Sequence, residues 1–198
     1  MKVQKALLVV DMQNDFCPGG ALGIPEGDKI IPAVNKYLKI FSKKKIPVIL
    51  TRDWHPIKTA HFRDFGGVWP VHCIHNSKGA SFHPNLKLPR EPVFVYKGMD
   101  PEKDSYSAFQ SEDEKGVGLP KLLKLLGVQE IYIAGLATDY CVKFTTHDAL
   151  KHGFKVRILM DAIKGVDLKV GDSEKAIKGL IKEGAKKMIL KDFSRWAK

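Results

Sequence analysis

Residues 130–141, EIYIAGLATDYC, determine how this chain is expected to fold. The apolar run EIYIA predicts a buried strand, and the following TDYCVKFTTHDALKHG predicts a helix that ends at Gly153. Cys141 therefore lies on the first turn of that helix, just after a strand. The unpaired N–H groups and the partial positive charge at a helix N-terminus favour a thiolate over a thiol and can hold a developing oxyanion. This position indicates a nucleophile, although a plain buried cysteine is the alternative.

The same alternation of strand and helix extends in both directions from this segment. Short runs predict five further strands: ALLVV, IPVILT, VFVY, KVRILM and KKMIL. One helix is predicted after Gly27 and Asp28 and runs through Lys44, another is predicted over LPKLLKLLG, and a last one after a cap at Asp172 or Ser173. Elements of these lengths predict an α/β fold of the Rossmann-like kind: a three-layer αβα arrangement with a six-stranded parallel sheet and helices on both faces.

The composition is that of an ordinary globular protein, with 44% hydrophobic and 28% charged residues among 198. A chain of this length fits one domain, and no repeat, linker or low-complexity segment divides it. No apolar run approaches the roughly 20 residues that span a bilayer, and the chain starts on a strand and not on a signal peptide. We therefore expect one domain over residues 1–198, a cytoplasmic protein, and no membrane partner.

The net charge of +11 raises the question of nucleic-acid binding. The lysines are spread over the whole chain, and no basic stripe interleaved with aromatic residues is present. Nucleic acid is therefore not expected as a partner. The three cysteines, Cys17, Cys73 and Cys141, have no CxxC spacing, which argues against a disulfide framework and against a cysteine-based zinc module.

Two other polar residues come directly after apolar runs. Asp11 comes after ALLVV, and Lys97 comes after VFVY. In an open parallel α/β sheet the carboxyl ends of the strands meet at one edge, where ligands bind. An acid, a cation and a thiol can therefore converge there although the sequence separates them widely. Asp11 as a loop cap and Lys97 as a solvated lysine are the alternatives, but the three positions together favour a catalytic group.

The long irregular stretch over residues 52–91 contains four candidate metal ligands. Asp53 and His55 are two positions apart, so on an extended segment their side chains point the same way, and His61 and His72 follow. A carboxylate with two or three imidazoles is a ligand set for a transition metal. A loop of this length in a compact domain is usually functional. The pattern favours a metal site over histidines that are merely exposed.

Two aromatic residues lie next to these polar groups in the sequence. Phe16 comes shortly after Asp11, and Trp69 comes shortly before His72. Either aromatic residue alone is compatible with a place in the core. Both nevertheless lie in loops at the expected ligand-binding edge, where a pair of aromatic side chains would suit a flat ring as substrate.

Seven stretches of the chain together resemble the nicotinamidase/pyrazinamidase members of the isochorismatase-like cysteine hydrolases. They are DMQNDFCPGGAL, DWHP, WPVHCI, GASFHP, VYKGMDPEKDSYSAF, GLATDYCV and HDALKHGF. The resemblance runs nearly end to end, and the motifs are highly specific in combination. It implies the isochorismatase-like fold and a single isochorismatase-like hydrolase domain over residues 1–198.

The resemblance also implies a role for particular residues. The catalytic triad would consist of Asp11, Lys97 and Cys141. The metal ligands would be Asp53, His55 and His72, together with His61 at the place of an extra histidine found in part of the family. The peptide between Leu136 and Ala137 would be cis, with the N–H groups of Ala137 and Cys141 as the oxyanion hole. The ring pocket would be lined by Phe16, Trp69 and Tyr106.

The chemistry implied by the resemblance is that of a nicotinamidase in NAD salvage. Nicotinamide would be hydrolysed to nicotinate and ammonia through a thioester on Cys141, with pyrazinamide as a side substrate. The cofactor would be one divalent transition metal, with zinc as the first expectation and iron or manganese as alternatives. Two other functions stay open, namely a relative that hydrolyses another small amide or isochorismate, and a non-catalytic binding protein of this fold. Homo-oligomer formation also stays open.

Overall fold

Six strands form one sheet at the centre of the computed structural model, which describes residues 4–196. The strands are β1 (Gln4–Val10), β2 (Val48–Asp53), β3 (Val93–Lys97), β4 (Val128–Leu136), β5 (Lys155–Lys164) and β6 (Lys186–Met188). They lie in the order β3-β2-β1-β4-β5-β6, and every neighbouring pair is parallel. This confirms the predicted six-stranded parallel sheet. The strand order changes direction between β1 and β4, where an open sheet of this kind has its binding crevice.

Helices cover both faces of the sheet, as predicted. They are α1 (Ile31–Lys43), α2 (Leu119–Leu125), α3 (Cys141–Lys151), α4 (Asp172–Lys182) and α5 (Leu190–Trp196). Because alternate residues of a strand point to opposite faces, Leu8 packs in the core shared with α2, α3 and α4, whereas Leu7 packs in the core shared with α1 and α5. The result is the predicted three-layer αβα arrangement. None of the described helices combines the length and the apolar character that crossing a membrane requires.

The C-terminal end of the sheet differs from the prediction. The segment KKMIL was expected to be a strand throughout, but β6 ends at Met188 and a helix begins at Leu190. Two carboxylates take the backbone N–H groups that a longer strand would use. Asp192 accepts a hydrogen bond from Ile189 N at 3.2 Å. Asp161 accepts one from Leu190 N at 2.9 Å.

The start of α4 also differs from the prediction of a cap at Asp172 or Ser173. The helix begins at Asp172, and the cap position belongs to Gly171, whose φ is 91°. Glycine adopts this left-handed conformation without a steric penalty. The Asp172 carboxylate accepts a 3.0 Å hydrogen bond from Lys169 N, so it closes the turn before the helix.

Gly135 allows β4 to run close to β1 where the two strands end. Its φ is +114°, and a Cβ added there would lie 2.0 Å from Val10 O. Any other residue would therefore require the backbone to move. Gly135 fixes the spacing of the two strands directly before Leu136 and Ala137, the segment that leads into α3.

We predict that Gly135→Ala lowers the free energy of unfolding by about 3 kcal/mol or more, because a backbone clash adds to the strain of a positive φ. Gly153→Ala is the matched control, since Gly153 has a φ of +83° but nothing within 4 Å of an added Cβ. The control should cost only about 1–2 kcal/mol. Urea unfolding followed by circular dichroism measures both. Equal losses in the two variants would contradict the close approach of β4 to β1.

Candidate active site

Asp11, Lys97 and Cys141 meet at the carboxyl edge of the sheet, as the sequence predicts. Asp11 follows β1, Lys97 is the last residue of β3, and Cys141 is the first residue of α3. The Lys97 Nζ atom lies 3.0 Å from Asp11 Oδ2 and 3.6 Å from Cys141 Sγ. All three residues are buried. The strand ends thus bring an acid, a cation and a thiol together from distant parts of the chain.

The Lys97 ammonium is buried between two carboxylates. Besides facing Asp11, its Nζ atom forms a second ion pair with Asp53 Oδ1. Burial alone would lower the pKa of Lys97, but Asp11 and Asp53 raise that pKa well above its usual range. Lys97 is therefore charged. Lys97 therefore connects Cys141 to Asp53, which the sequence indicated only as a metal ligand. This connection was not predicted from the sequence.

Thr51 fixes the orientation of Asp11. The Thr51 hydroxyl donates a 2.5 Å hydrogen bond to Asp11 Oδ1, and the Asp11 N–H donates to Thr51 Oγ1 at 3.0 Å. The other carboxylate oxygen faces Lys97. Burial raises the pKa of Asp11 above its ordinary value, and Lys97 opposes this shift. A carboxylate whose pKa is raised towards neutrality is a better general base than an ordinary one.

The surroundings of the Cys141 thiol act on its pKa in both directions. Burial raises the pKa of Cys141 well above its usual range, while Lys97 lowers it and Asp11 raises it further. Burial and the carboxylates therefore oppose the effect that the sequence predicts for the helix start. A thiolate has to form by proton transfer, and Asp11 is in place to accept that proton.

A second group of buried polar residues lies beside these three. His55, His61 and His72 each offer a ring nitrogen, and the three nitrogens lie within 4.8 Å of one another. Asp53 Oδ2 lies 3.8 Å from His55 Nε2 and 3.9 Å from His72 Nε2. The structure therefore gathers all four residues that the sequence indicated as metal ligands, including His61.

Each of the three imidazoles is oriented through its Nδ1 atom. The partners are Gly98 O at 3.0 Å for His55, Asp104 Oδ1 at 2.5 Å for His61, and Pro70 O at 2.8 Å for His72. Nε2 is then the nitrogen left for a ligand, an arrangement typical of metal-binding histidines. His55 Nε2 is buried and has no hydrogen-bond partner among the described residues. Such an unpaired nitrogen fits a metal ion that would supply its missing contact.

The chemistry of this donor set also fits a divalent transition metal. Imidazoles together with one carboxylate suit Zn²⁺ and its neighbours in the transition series. Burial lowers the pKa of His61, and it lowers the pKa of His72 to about 4. Both rings are therefore neutral near pH 7, which is the form that binds a metal. The cluster can hold one such ion.

A cavity of about 60 Å³ lies between the two groups. Phe16, Trp69 and Tyr106, the predicted ring contacts, all line this cavity. Trp69 Nε1 donates a 2.8 Å hydrogen bond to the Tyr106 hydroxyl, which holds these two rings in place. Cys141 and His72 reach the same cavity. The thiol and this imidazole can therefore contact the same molecule in the cavity.

Two backbone N–H groups beside the thiol are available to an anion. The peptide between Leu136 and Ala137 is cis, as the resemblance implies. Within the described part of the chain, no backbone carbonyl accepts a hydrogen bond from the N–H of Ala137 or of Cys141. Ala137 lines the cavity next to Cys141. A substrate oxygen can therefore find both donors at this point.

Several residues that hold the site in place were not predicted from the sequence. Gln13 Nε2 donates to Asp53 O, and Asp53 N donates to Gln13 Oε1, both at 2.8 Å. Asp104 orients His61, and Thr51 orients Asp11. Gln13 and Asp104 stand inside the quoted motifs, which was a usable signal. Thr51 gave none, because threonine is common in strands.

Comparison with known proteins agrees with this geometry. Residues 5–189 match the family model described as the isochorismatase domain. The chain belongs to the isochorismatase family. Within this family it is 38% identical to a nicotinamidase of Escherichia coli, over 96% of both chains.

Solved structures of this family show the same fold. The pyrazinamidase of Pyrococcus horikoshii in complex with zinc is 47% identical, with a TM-score of 0.87 over 94% of this chain and 99% of that chain. PnC1 from L. infantum in complex with nicotinate is 33% identical, with a TM-score of 0.83 over 96% of this chain and 94% of that chain. The isochorismatase-like fold predicted from the sequence is confirmed.

We predict that iodoacetamide modifies Cys141 faster than Cys17 or Cys73. Of the three cysteines only Cys141 lines the cavity, where Asp11 can accept its proton. Burial raises the pKa of all three thiols, so access decides the order: Cys17 and Cys73 are buried and do not line the cavity. Peptide mass spectrometry at graded times measures the three rates, with Cys141→Ala as control. Equal rates would contradict the assignment of Cys141 as the reactive thiol.

Proposed function

We propose that this protein is a nicotinamidase that hydrolyses nicotinamide to nicotinate and ammonia and also accepts pyrazinamide. One observation carries the proposal: Cys141, Asp11 and two of the three clustered histidines, His61 and His72, line a single cavity. Relatives of similar length bear the names nicotinamidase and pyrazinamidase, and another was crystallised with nicotinate. We propose further that residues 1–198 act as one hydrolase domain.

The first half of the proposed reaction forms a thioester. Asp11 accepts the thiol proton of Cys141, the thiolate attacks the carboxamide carbon, and the C=O electron pair moves to oxygen. The N–H groups of Ala137 and Cys141 would hold this oxyanion, while the Lys97 ammonium, 3.6 Å from Cys141 Sγ, stabilises the anions. Asp11 then gives its proton to the amide nitrogen. The C–N bond breaks, ammonia leaves, and the acyl group remains on sulfur.

The second half hydrolyses the thioester and restores the thiol. Asp11, again a carboxylate, accepts a proton from a water molecule as its oxygen attacks the acyl carbon. The same N–H groups hold the second oxyanion. The C–S bond then breaks, Asp11 returns its proton to the Cys141 sulfur, and nicotinic acid leaves and gives its proton to solvent to become nicotinate. The cycle consumes one water for each ammonia released.

Asp53, His55, His61 and His72 would hold the metal in the proposed enzyme, with zinc as the first candidate and iron or manganese as alternatives. When bound, the ion supplies a Lewis acid for the lone pair of the ring nitrogen. Asp53 uses Oδ1 for Lys97 and turns Oδ2 towards the imidazoles. One carboxylate thus belongs to both groups of the site.

Chelation should remove about one equivalent of a divalent transition metal and most of the hydrolysis, and Zn, Mn or Fe should restore it. His55→Ala and His72→Ala should weaken metal binding more than His61→Ala, because those two rings lie within 4 Å of Asp53 Oδ2. His83→Ala is the matched control in the same long loop. Elemental analysis and calorimetric titration give stoichiometry and affinity. Active protein without such a metal would contradict the site.

The proposed function predicts a strong preference for amides that carry a ring nitrogen. Metal-replete protein should hydrolyse nicotinamide and pyrazinamide with kcat/KM at least about a hundredfold above that for benzamide, because an amide without the nitrogen contact is poorly oriented. Trp69→Ala and Phe16→Ala should weaken all three reactions alike, since they contact the ring faces. Ammonia release measures these rates, and Cys141→Ala controls for contaminants. Near-equal values for nicotinamide and benzamide would contradict the proposal.

A further inference from the structure

The loop between β5 and α4 supplies part of the cavity wall through Val166. Beyond Val166 the loop leaves the surface of the core, and Leu168 and Val170 are exposed. A loop of this kind does not hold a side chain at a fixed place in a binding cavity unless its backbone is anchored. The structure shows where the anchor is.

Asp139 anchors the loop with both oxygens of its carboxylate. Oδ1 accepts a hydrogen bond from Val166 N at 2.9 Å, and Oδ2 accepts one from Asp167 N at 2.8 Å. The Asp139 residue is only 4% exposed, so water competes little for these bonds. Hydrogen bonds to an ionised acceptor are about twice as strong as neutral ones. The carboxylate therefore fixes two consecutive peptide groups of the loop.

Two further features restrict the backbone of the loop. Asp167 Oδ1 accepts a 2.7 Å hydrogen bond from Ser173 N, which ties the loop to the first turn of α4. At Gly165 an added Cβ would lie 1.7 Å from Ser173 Oγ and 3.0 Å from Asp139 Oδ1. The backbone is thus held between Asp139 on one side and Ser173 on the other, and Val166 lies between these two anchors.

Asp139 also belongs to the turn that carries the nucleophile. It lies two residues after Ala137 and two residues before Cys141. A second bond, from Thr138 N to Lys164 O at 2.9 Å, joins the same turn to the end of β5. The position of Val166 is therefore set relative to the Cys141 thiol, and not relative to the distant surface.

We infer that Asp139 is a positioning residue for ring binding, which acts by holding Val166 in the cavity wall against the ring of the bound substrate. This inference rests on the proposed function. Asp139 itself is not among the residues that line the cavity. Its effect is therefore exerted through Val166, on the binding of the ring and not on the chemical step.

Asp139→Asn keeps the size of the side chain but turns one acceptor into a donor that faces a backbone N–H. Nicotinate should bind about tenfold more weakly by calorimetry, the KM for nicotinamide should rise to a similar extent, and kcat should stay within about threefold. Asp161→Asn is the matched control, because Asp161 also accepts from a backbone N–H, Leu190 N at 2.9 Å, outside the cavity. This control should change neither constant.

A double-mutant cycle tests whether Asp139 acts through Val166. Val166→Ala alone should weaken nicotinate binding, and Asp139→Asn added to it should change Kd by less than about twofold. Fully additive effects, an unchanged Kd in Asp139→Asn, or a loss confined to kcat would overturn the inference. If Asp139→Asn does not fold, Asp139→Ser, which keeps one acceptor oxygen, enters the same cycle.

Nicotinate binding needs no turnover, so this test and that of the proposed function fail separately. A parent chain that binds nicotinate but releases no ammonia from nicotinamide contradicts the proposed function, and the binding cycle still decides the role of Asp139. A parent chain that hydrolyses nicotinamide while Asp139→Asn binds nicotinate normally contradicts only the inference. A parent chain that neither hydrolyses nicotinamide nor binds nicotinate contradicts both the proposed function and the inference.

Discussion

The buried ammonium of Lys97 is the constraint on which both halves of the site depend. It forms ion pairs with Asp11 and Asp53 and lies 3.6 Å from Cys141 Sγ. Two carboxylates this close cannot both ionise in a buried site without a counter-charge. Burial would raise the pKa of Asp53, but Lys97 and His55 bring it well below its ordinary value, whereas the pKa of Asp11 remains raised. The Lys97 ammonium thus favours the ionised form of Asp53, while Asp11 is the carboxylate that can accept a proton.

The histidine cluster depends on loops from two neighbouring strands. Asp53 ends β2, and the imidazole of His55 follows it, yet His55 is oriented by Gly98 O and His61 is oriented by Asp104, both from the segment after β3. The long loop after β2 therefore cannot build the ligand set by itself. The same segment directly follows Lys97, the last residue of β3, so the orientation of the imidazoles and the position of the buried cation are set together.

The sequence predicted those features that depend on local pattern. The strands were predicted from apolar runs. Asp11, Lys97 and Cys141 come after three of these runs, so they were expected at one edge of the sheet, because parallel strands end at the same edge. Features that depend on burial or on tertiary partners could not be predicted from the sequence. The raised pKa of Cys141 follows from burial of its thiol, and the loss of the last two residues of KKMIL from β6 follows from hydrogen bonds of Ile189 N to Asp192 and of Leu190 N to Asp161. No sequence pattern indicates the ion pair between Lys97 and Asp53 or the hydrogen bond from Val166 N to Asp139.

The Lys97 ammonium balances the charge of the buried carboxylates. A double-mutant cycle of unfolding free energies in chelator-treated protein tests this claim. Lys97→Met should lower the free energy of unfolding by about 3–5 kcal/mol, because it leaves a buried carboxylate without a counter-charge. Adding Asp53→Asn to Lys97→Met should recover part of this loss, with a coupling energy above about 1 kcal/mol. Urea unfolding of the parent, both single variants and the double variant measures the coupling. Purely additive losses would contradict the claim.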